Sequence, residues 1–286
     1  MAIIYPDILA LKTEETPISW TTKDTILYAL GVGIGDNPVD RNELRYVYER
    51  DLLSLPTMAS VLDAGGLRAI LAQAGANRAK QVHGEQAMTL HQPIPPEAKA
   101  TVSTRVDKVY DKGAEKGAIV VFVTTLRDAT GSPIADTYSS VFARGDGGCG
   151  GTDEQQSPAR VMPDRDPDLK VDIRTTPNQA LIYRLSGDYN PLHIDPDAAE
   201  AAGFPKPILH GLCTYGITCR AVLSAYAEYD AARICEHAVR FSAPVFPGET
   251  ITVDLWQDGD VVSFEAGVKE RGAKVIRAGR ARLTET

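Results

Sequence analysis

Hydrophobic residues follow two different periods along the first half of this chain. Residues 25–33 and 55–75 carry apolar side chains at helical spacing, and Tyr and Val alternate over 46–48, which predicts a short strand. From Gln81 onward, apolar and polar residues alternate through four longer runs, as they do in half-buried strands. Turn residues separate these runs, namely Pro95-Pro96, Asp111-Lys112-Gly113 and Gly131-Ser132-Pro133. The first half therefore predicts helices followed by antiparallel strands.

The second half repeats this order. Residues 145–168 are rich in Gly, Pro and charge, which is typical of a linker rather than of a packed core. After this linker, the segment ALIYRLSGD aligns with TILYALGVG of the first half, so that Tyr183 matches Tyr28. A helix is then predicted over 212–229, and four strand-like runs follow it. We therefore predict two repeats of the α+β class, each a curved antiparallel sheet around a helix. The predicted boundaries are 1–147 for the N-terminal repeat, 148–170 for the linker and 171–286 for the C-terminal repeat.

Residues 183–215 concentrate the polar side chains that are suited to chemistry. Asp188, Asn190 and His193 lie within six residues of one another, and the proline after Asn190 favours an extended turn between them. Gly211 lies at the start of the predicted helix, where free backbone N–H groups stabilise negative charge. A carboxylate, an imidazole and a helix N-terminus are the groups that proton transfer beside a polarised carbonyl requires.

Two segments in this region, GDYNPLHID and KPILHGLCTYG, closely resemble the signature of the MaoC-like, R-specific enoyl-CoA hydratases, or hydratase 2. The match is to the two-repeat form of the family, as in the hydratase part of peroxisomal multifunctional enzyme type 2, and it extends over most of the chain. The resemblance implies a double hot-dog fold and a lyase of fatty-acid β-oxidation. Such a lyase adds water reversibly to a trans-2-enoyl-CoA and forms a (3R)-3-hydroxyacyl-CoA.

The resemblance also implies which residues act. Asp188 and His193 form the acid/base pair, and the backbone N–H of Gly211 donates to the thioester oxyanion. Asn190 orients the attacking water or Asp188. The residues that the resemblance assigns to CoA and acyl binding are His83, Gly84, Lys112, Tyr189, Pro191, Leu192 and Phe241. The chemistry needs neither a metal nor a redox cofactor, so none is expected; CoA is part of the substrate.

The residues alone leave other roles open. Asp188 follows a glycine at a helix end and can be an ordinary turn residue, a lone His193 can be structural, and Lys112 can be a solvated turn lysine. Aligning the two halves places Gly33 opposite Asp188 and Pro38 opposite His193, so the first half lacks both groups. We therefore expect one active site per chain, with the N-terminal repeat supplying pocket walls and CoA contacts.

Composition narrows the class of protein further. The chain of 286 residues has a net charge of −8, which argues against a nucleic-acid partner. No apolar run approaches the ~20 residues that span a bilayer, so no membrane association is expected. The N-terminus does not resemble a secretory signal and the C-terminus is not of the S-K-L type, so we expect a cytoplasmic protein. The four cysteines have neither C-x-x-C nor zinc spacing and are expected to be reduced.

Three other functions remain to be weighed against the hydratase. The same chemistry in reverse would make the protein a 3-hydroxyacyl-thioester dehydratase, acting on CoA or on an acyl-carrier protein. A hot-dog thioesterase is disfavoured, since its carboxylate is not expected in a G-D-x-N-P-x-H motif. A non-catalytic acyl-CoA-binding subunit is disfavoured by the intact Asp188 and His193. In each case we expect a homodimer.

Overall fold

The computed structural model describes residues 3–77, 80–152 and 160–284, so part of the predicted linker, 153–159, and the last two residues lie outside the described chain. Ten strands are described: β1 (Thr16–Trp20), β2 (Gln81–Leu90), β3 (Ala98–Asp111), β4 (Ala118–Asp128), β5 (Pro133–Ala143), β6 (Leu169–Arg174), β7 (Ile234–Phe241), β8 (Thr250–Asp258), β9 (Val261–Val268) and β10 (Ala273–Leu283). The α-helices of this part are α1 (Thr22–Gly31), α2 (Arg41–Leu44), α3 (Gly66–Gln73), α4 (Gln179–Tyr183), α5 (Pro196–Ala201) and α6 (Gly211–Tyr226). None of these helices is long and apolar enough to cross a membrane.

The strands form one antiparallel sheet in the order β1-β3-β4-β5-β2-β7-β10-β9-β8-β6. Read from its two edges inward, the sheet has the same order twice, and β2 pairs with β7 where the halves meet. The predicted double hot-dog fold is therefore confirmed, and the eight strand-like runs correspond to β2–β5 and β7–β10. The edge strands β1 and β6 were not predicted.

Helix α6 is the central helix around which the C-terminal sheet curves. Ten of its sixteen residues are buried. The apolar ones among them belong to one large cluster that includes residues of both repeats. Gly216 lets this helix approach α1 closely, since a Cβ there would lie 2.5 Å from Cγ1 of Val32. The repeat-related helices α1 and α4 also pack together, with the rings of Tyr28 and Tyr183 6.0 Å apart. Burial of this apolar surface holds the two repeats together.

The N-terminal repeat has no equally long central helix among its described residues, and the prediction of one helix over 55–75 is wrong. A 3₁₀ turn over Pro56–Val61 is followed by a break, after which α3 begins. The break arises because the Asp63 carboxylate accepts the Gly65 N–H and Gly65 adopts φ +73°, a left-handed conformation that glycine tolerates. Helix α3 therefore leaves the direction of the preceding turn and packs on β3.

The strand predicted over 46–48 is also wrong. Asp40 caps α2 by accepting the Asn42 N–H, and the chain continues in turns. Glu43 is buried, accepts the Gly35 N–H at 2.9 Å and forms an ion pair with Arg220 of α6 at 2.7 Å. These contacts attach the segment to the C-terminal repeat, so its alternation of Tyr and Val has no neighbouring strand to pair with.

The described ends of the predicted linker each contact the adjoining repeat. The N–H groups of Gly148 and Gly150 donate to the Asp111 carboxylate at the end of β3, at 2.9 and 3.0 Å. On the other side, the indole N–H of Trp256 donates to the Arg165 carbonyl at 2.8 Å. Strand β6 begins at Leu169, two residues before the predicted start of the C-terminal repeat. The division into repeats and linker stays a prediction.

Candidate active site

The loop that follows α4 carries the predicted acid/base pair. Gly187, at φ +120°, turns the chain out of the preceding 3₁₀ turn, and Asp188 follows it. The Asn190 side-chain oxygen accepts the Leu192 N–H at 3.2 Å and so caps a second 3₁₀ turn, Pro191–His193. This turn directs His193 inward, where it is 8% exposed. In this structure Asn190 therefore shapes the loop.

His193 has a defined proton arrangement. Its Nδ1–H donates to the Ile208 carbonyl at 2.9 Å, and because a carbonyl only accepts, the neutral ring leaves Nε2 without a proton. Nε2 lies 4.0 Å from Oδ2 of Asp188. Burial lowers the pKa of His193 below its ordinary value, and this effect exceeds the opposing effects of the Ile208 carbonyl and the Asp188 charge. The ring is therefore a neutral proton acceptor at neutral pH.

Asp188 is held as a carboxylate by a residue of the other repeat. Nη2 of Arg68, in α3, donates to Oδ1 of Asp188 at 2.5 Å. Burial raises the pKa of Asp188, but the opposing effects, of which the hydrogen bond and charge of Arg68 are the largest, together place the pKa below its ordinary value. The Asn190 N–H lies 3.3 Å from the same oxygen. Oδ1 is thus occupied, while Oδ2 faces His193.

His210 is a second imidazole at the site, and it was not predicted. Its ring stacks on His193 with centroids 3.7 Å apart, and its Nε2–H donates to the Asp188 carbonyl at 3.1 Å. Nδ1 is therefore unprotonated, and it is buried with no partner in the described chain. Burial first, and then the neighbouring His193, lower the pKa of His210 to about 4. The sequence signal was the histidine directly before Gly211, at the N-cap of α6.

Three of the predicted residues lie close together beside Asp188 and His193, namely Gly211, Phe241 and His83. Gly211 is the first residue of α6, so its N–H has no intrahelical acceptor, and His210 before it makes no side-chain cap. A Cβ at Gly211 would lie 3.5 Å from the Phe241 ring, and that ring lies 5.0 Å from the ring of His83. Gly84 follows at a β-bulge between β2 and β5. The first residues of β2 in the N-terminal repeat therefore form one wall of the site.

The remaining predicted binding residues lie farther out. Tyr189 is exposed and its ring packs under the Arg184 guanidinium at 5.0 Å, while Pro191 and Leu192 belong to the 3₁₀ turn. Lys112 lies at the β3–β4 turn with its ammonium 5.8 Å from the Tyr110 ring. Among the described residues, no contact joins Lys112 to the loop of Asp188.

Asp188, His193 and His210 are also the described residues that could approach a metal ion together, with one possible ligand atom each within 4.8 Å of one another. Two features disfavour an ion. Arg68 occupies one carboxylate oxygen, and the two imidazole rings are stacked at 29° with centroids 3.7 Å apart, so their lone pairs lie in separate, nearly parallel planes. The arrangement fits proton transfer better than coordination.

The buried histidines predict a stability change at mildly acidic pH. Burial lowers the pKa of His83 and His210 to about 4 and of His237 to about 3, compared with about 6.5 in an unfolded chain. Because the unfolded chain binds more protons, the free energy of unfolding should fall below pH ~6.5, by roughly 1 kcal/mol per histidine per pH unit. Urea unfolding from neutral pH to about 5, where most carboxylates stay ionised, measures this slope. A flat profile would contradict the neutral state of these rings.

Known protein families and relatives match almost the whole length of the chain. Residues 158–278 match the family model described as MaoC like domain, and residues 18–145 match the MFE-2 hydratase 2 N-terminal domain. Enoyl-CoA hydratase ChsH3 of Mycobacterium tuberculosis is 40% identical over 277 residues, covering 95% of this chain and 96% of its own. The 3-hydroxyacyl-thioester dehydratase Y of the same organism is 43% identical over 260 residues, covering 89% and 88%. The crystal structure of a MaoC-like dehydratase from Phytophthora capsici has a TM-score of 0.87 and 36% identity, with 98% of each chain covered.

Proposed function

Since the chain belongs to the MaoC-like hydratase 2 family, we propose that it is an R-specific enoyl-CoA hydratase. The reaction is the reversible addition of water to a trans-2-enoyl-CoA, which gives a (3R)-3-hydroxyacyl-CoA. One observation carries the proposal: Asp188 Oδ2 and His193 Nε2 face each other at 4.0 Å, and both are proton acceptors. A single water molecule can donate hydrogen bonds to two acceptors at that separation.

The proton balance follows from the resting state of the pair, in which Asp188 and His193 are both proton acceptors. Water attacks C3 of the enoyl group, and one of its protons passes to Asp188 or His193. A proton is delivered to C2 from the same pair, so the enzyme neither gains nor loses a proton over the cycle. Either residue can accept from the water, because both face the same space as proton acceptors.

Charge on the thioester oxygen needs a donor of its own. Attack at C3 builds an enolate, and the N–H of Gly211 at the start of α6 is suited to stabilise it. His210 links this helix start to the pair, because its ring stacks on His193 and its Nε2–H holds the Asp188 carbonyl. We propose that the reaction needs neither a metal nor another cofactor.

The proposal is tested by incubating the protein with trans-2-enoyl-CoAs of different chain length and branching. Loss of the enoyl-thioester absorbance reports hydration, and chiral chromatography of the product reports its configuration. We expect turnover with at least one substrate and a 3R product. A 3S product, or no turnover across the panel, would refute the proposal.

A dehydratase is the second candidate, and the relative named 3-hydroxyacyl-thioester dehydratase favours that direction of the reaction; its thioester could be carried by CoA or by an acyl-carrier protein. The two carriers leave the chemistry at Asp188 and His193 the same. Matched acyl groups on CoA and on a carrier protein distinguish them by kcat/KM. We propose that the carrier is CoA and that the reaction belongs to β-oxidation. We also propose that the protein is cytoplasmic, which cell fractionation tests, and that it is a homodimer, which light scattering tests.

Lys112 gives a separate prediction about the carrier. Its ammonium lies in a Gly-flanked turn and is suited to a CoA phosphate. Lys112→Ala should raise KM for CoA thioesters and leave kcat nearly unchanged, because a contact far from the reacting carbons stabilises ground and transition states equally. Kinetics at low and high salt measure the effect, which should shrink with screening. Lys116→Ala, in the same turn, is the matched control, and an unchanged KM at low salt would remove Lys112 from the binding site.

A further inference from the structure

Arg68 joins the N-terminal repeat to the carboxylate of the C-terminal motif. Its Nη2 donates to Oδ1 of Asp188 at 2.5 Å, across 120 positions of sequence. The Arg68 side chain is 57% exposed, whereas that of Asp188 is 25% exposed. An ion pair this open to solvent contributes little to stability, so stabilising the fold does not account for its position.

The helix that carries Arg68 is fixed in place by packing. A Cβ at Gly66 would lie 2.8 Å from Cβ of Thr104 on β3, so this position requires glycine for α3 to lie against the sheet. Ile70 and Leu71, on the same helix, are buried in the second apolar cluster of the N-terminal repeat. The start of α3 is therefore held against the sheet, and Arg68 extends from a rigid base toward Asp188.

The contact divides the two oxygens of the carboxylate between different partners. Arg68 binds Oδ1, and Oδ2 is left facing Nε2 of His193 at 4.0 Å. Resting on the function proposed above, we propose that Arg68 is a positioning residue for hydration, which aims Oδ2 of Asp188 at the reacting water. The reaction thereby depends on a residue of the repeat that lacks the acid and the imidazole.

The other charged and titratable groups that face Asp188 do not supply this function. They are His83 on β2, Tyr183 on α4, His193 on its own loop and His210 before α6. Burial lowers the pKa of each of the three imidazoles and raises that of the Tyr183 phenol, so all four are neutral at neutral pH. Arg68 is the cation hydrogen-bonded to this carboxylate among the described residues.

The test compares Arg68→Gln and Arg68→Lys with Arg105→Gln. Arg105 forms an ion pair with Asp107 at nearly the same exposure, 55% and 27%, and it lies on β3 outside the site, which makes it a matched control. Arg68→Gln should lower kcat by about 10-fold to 100-fold, the usual effect of a reacting group displaced by a fraction of an ångström to 1 Å. KM should change by less than about 3-fold. Arg68→Lys, which keeps the charge, should recover part of kcat, and Arg105→Gln should leave both constants unchanged.

The pH profile separates positioning from a general effect on folding. Arg68 lowers the pKa of both Asp188 and His193, so its removal should move the acidic limb of kcat/KM to higher pH. The limb should not move in Arg105→Gln. Equal circular dichroism and melting temperatures across the variants establish that they are folded.

Three outcomes would overturn the proposal. The first is wild-type kcat in Arg68→Gln, and the second is an increase in KM alone, which would assign Arg68 to the CoA moiety. The third is an acidic limb that stays in place. Inactivity of the wild type on every enoyl-CoA would instead refute the function. In that event an NMR titration of the His193 ring, assignable among five histidines, still decides the geometry: its pKa must rise in Arg68→Gln, and an unchanged value rejects the contact.

Discussion

Asp188→Asn and His193→Gln are each expected to lower kcat by a factor on the order of 10²–10⁴, the usual contribution of a positioned acid or base. Both substitutions keep the size and polarity of the side chain but remove its ability to take a proton from water. KM should change little, because the lost interaction is made mainly in the transition state. Steady-state hydration of an enoyl-CoA measures both constants.

His91→Gln is the matched control for this pair. The His91 ring forms a hydrogen bond with Asp136 at 2.8 Å, so it too is an imidazole beside a carboxylate, but it lies on the outer surface. Its loss should leave kcat unchanged. The wild-type kcat/KM should decline only below pH ~6.5, since burial holds the pKa of His193 below its ordinary value. Near-normal kcat in either site variant would remove that residue from the mechanism.

Much of the sheet could be predicted because its inner strands have a clear alternation. Strand β9, for example, buries every second residue from Val262 to Val268. Strands β1 and β6 escaped prediction because each lies at an edge of the sheet. In β6 only Ile173 is buried, so the hydrophobic pattern that identifies a half-buried strand is absent.

The helical errors have the same physical origin, which is that contacts distant in sequence decide the local structure. The apolar run over 55–75 has the composition of a helix, yet Gly66 must contact Thr104 and Gly65 adopts a left-handed turn before it. Residues 46–48 alternate like a strand, yet Tyr46 is buried with its hydroxyl donating to the Tyr229 carbonyl of the other repeat. Neither partner can be identified from the local pattern.

The candidate site likewise contains residues that the local sequence identifies and residues that only distant contacts identify. Asp188, Asn190 and His193 could be found because one short loop carries them, and a proline and an Asn cap shape that loop. Arg68 could not be identified from the sequence, since an arginine on an amphipathic helix is normally a solvated side chain. Its importance depends on how α3 of one repeat lies against the loop of the other. Shared residues of this kind also bear on whether either repeat can act alone.

The C-terminal repeat with the adjoining part of the linker, residues 160–286, is expected to have no measurable hydratase activity and poor solubility. It retains Asp188, His193 and Gly211 but loses Arg68, which holds Oδ1 of the carboxylate. It also exposes strand β7, whose ladder with β2 runs from Arg240 opposite Glu85 to Glu236 opposite Thr89. An open strand edge beside a large apolar face favours aggregation.

Co-expression of residues 1–152 with 153–286 is the control for this loss. The first fragment keeps the contacts of Gly148 and Gly150 with Asp111, and the second keeps Arg165 and its bonds to Trp256 and Asp258. Because the cut leaves these contacts and the β2–β7 ladder intact, the fragments should purify together and hydrate enoyl-CoA. Gel filtration and the absorbance assay measure association and activity. A soluble, fully active monomer of residues 160–286 would show that the N-terminal repeat is dispensable. It would also refute the roles given to Arg68, His83 and Lys112.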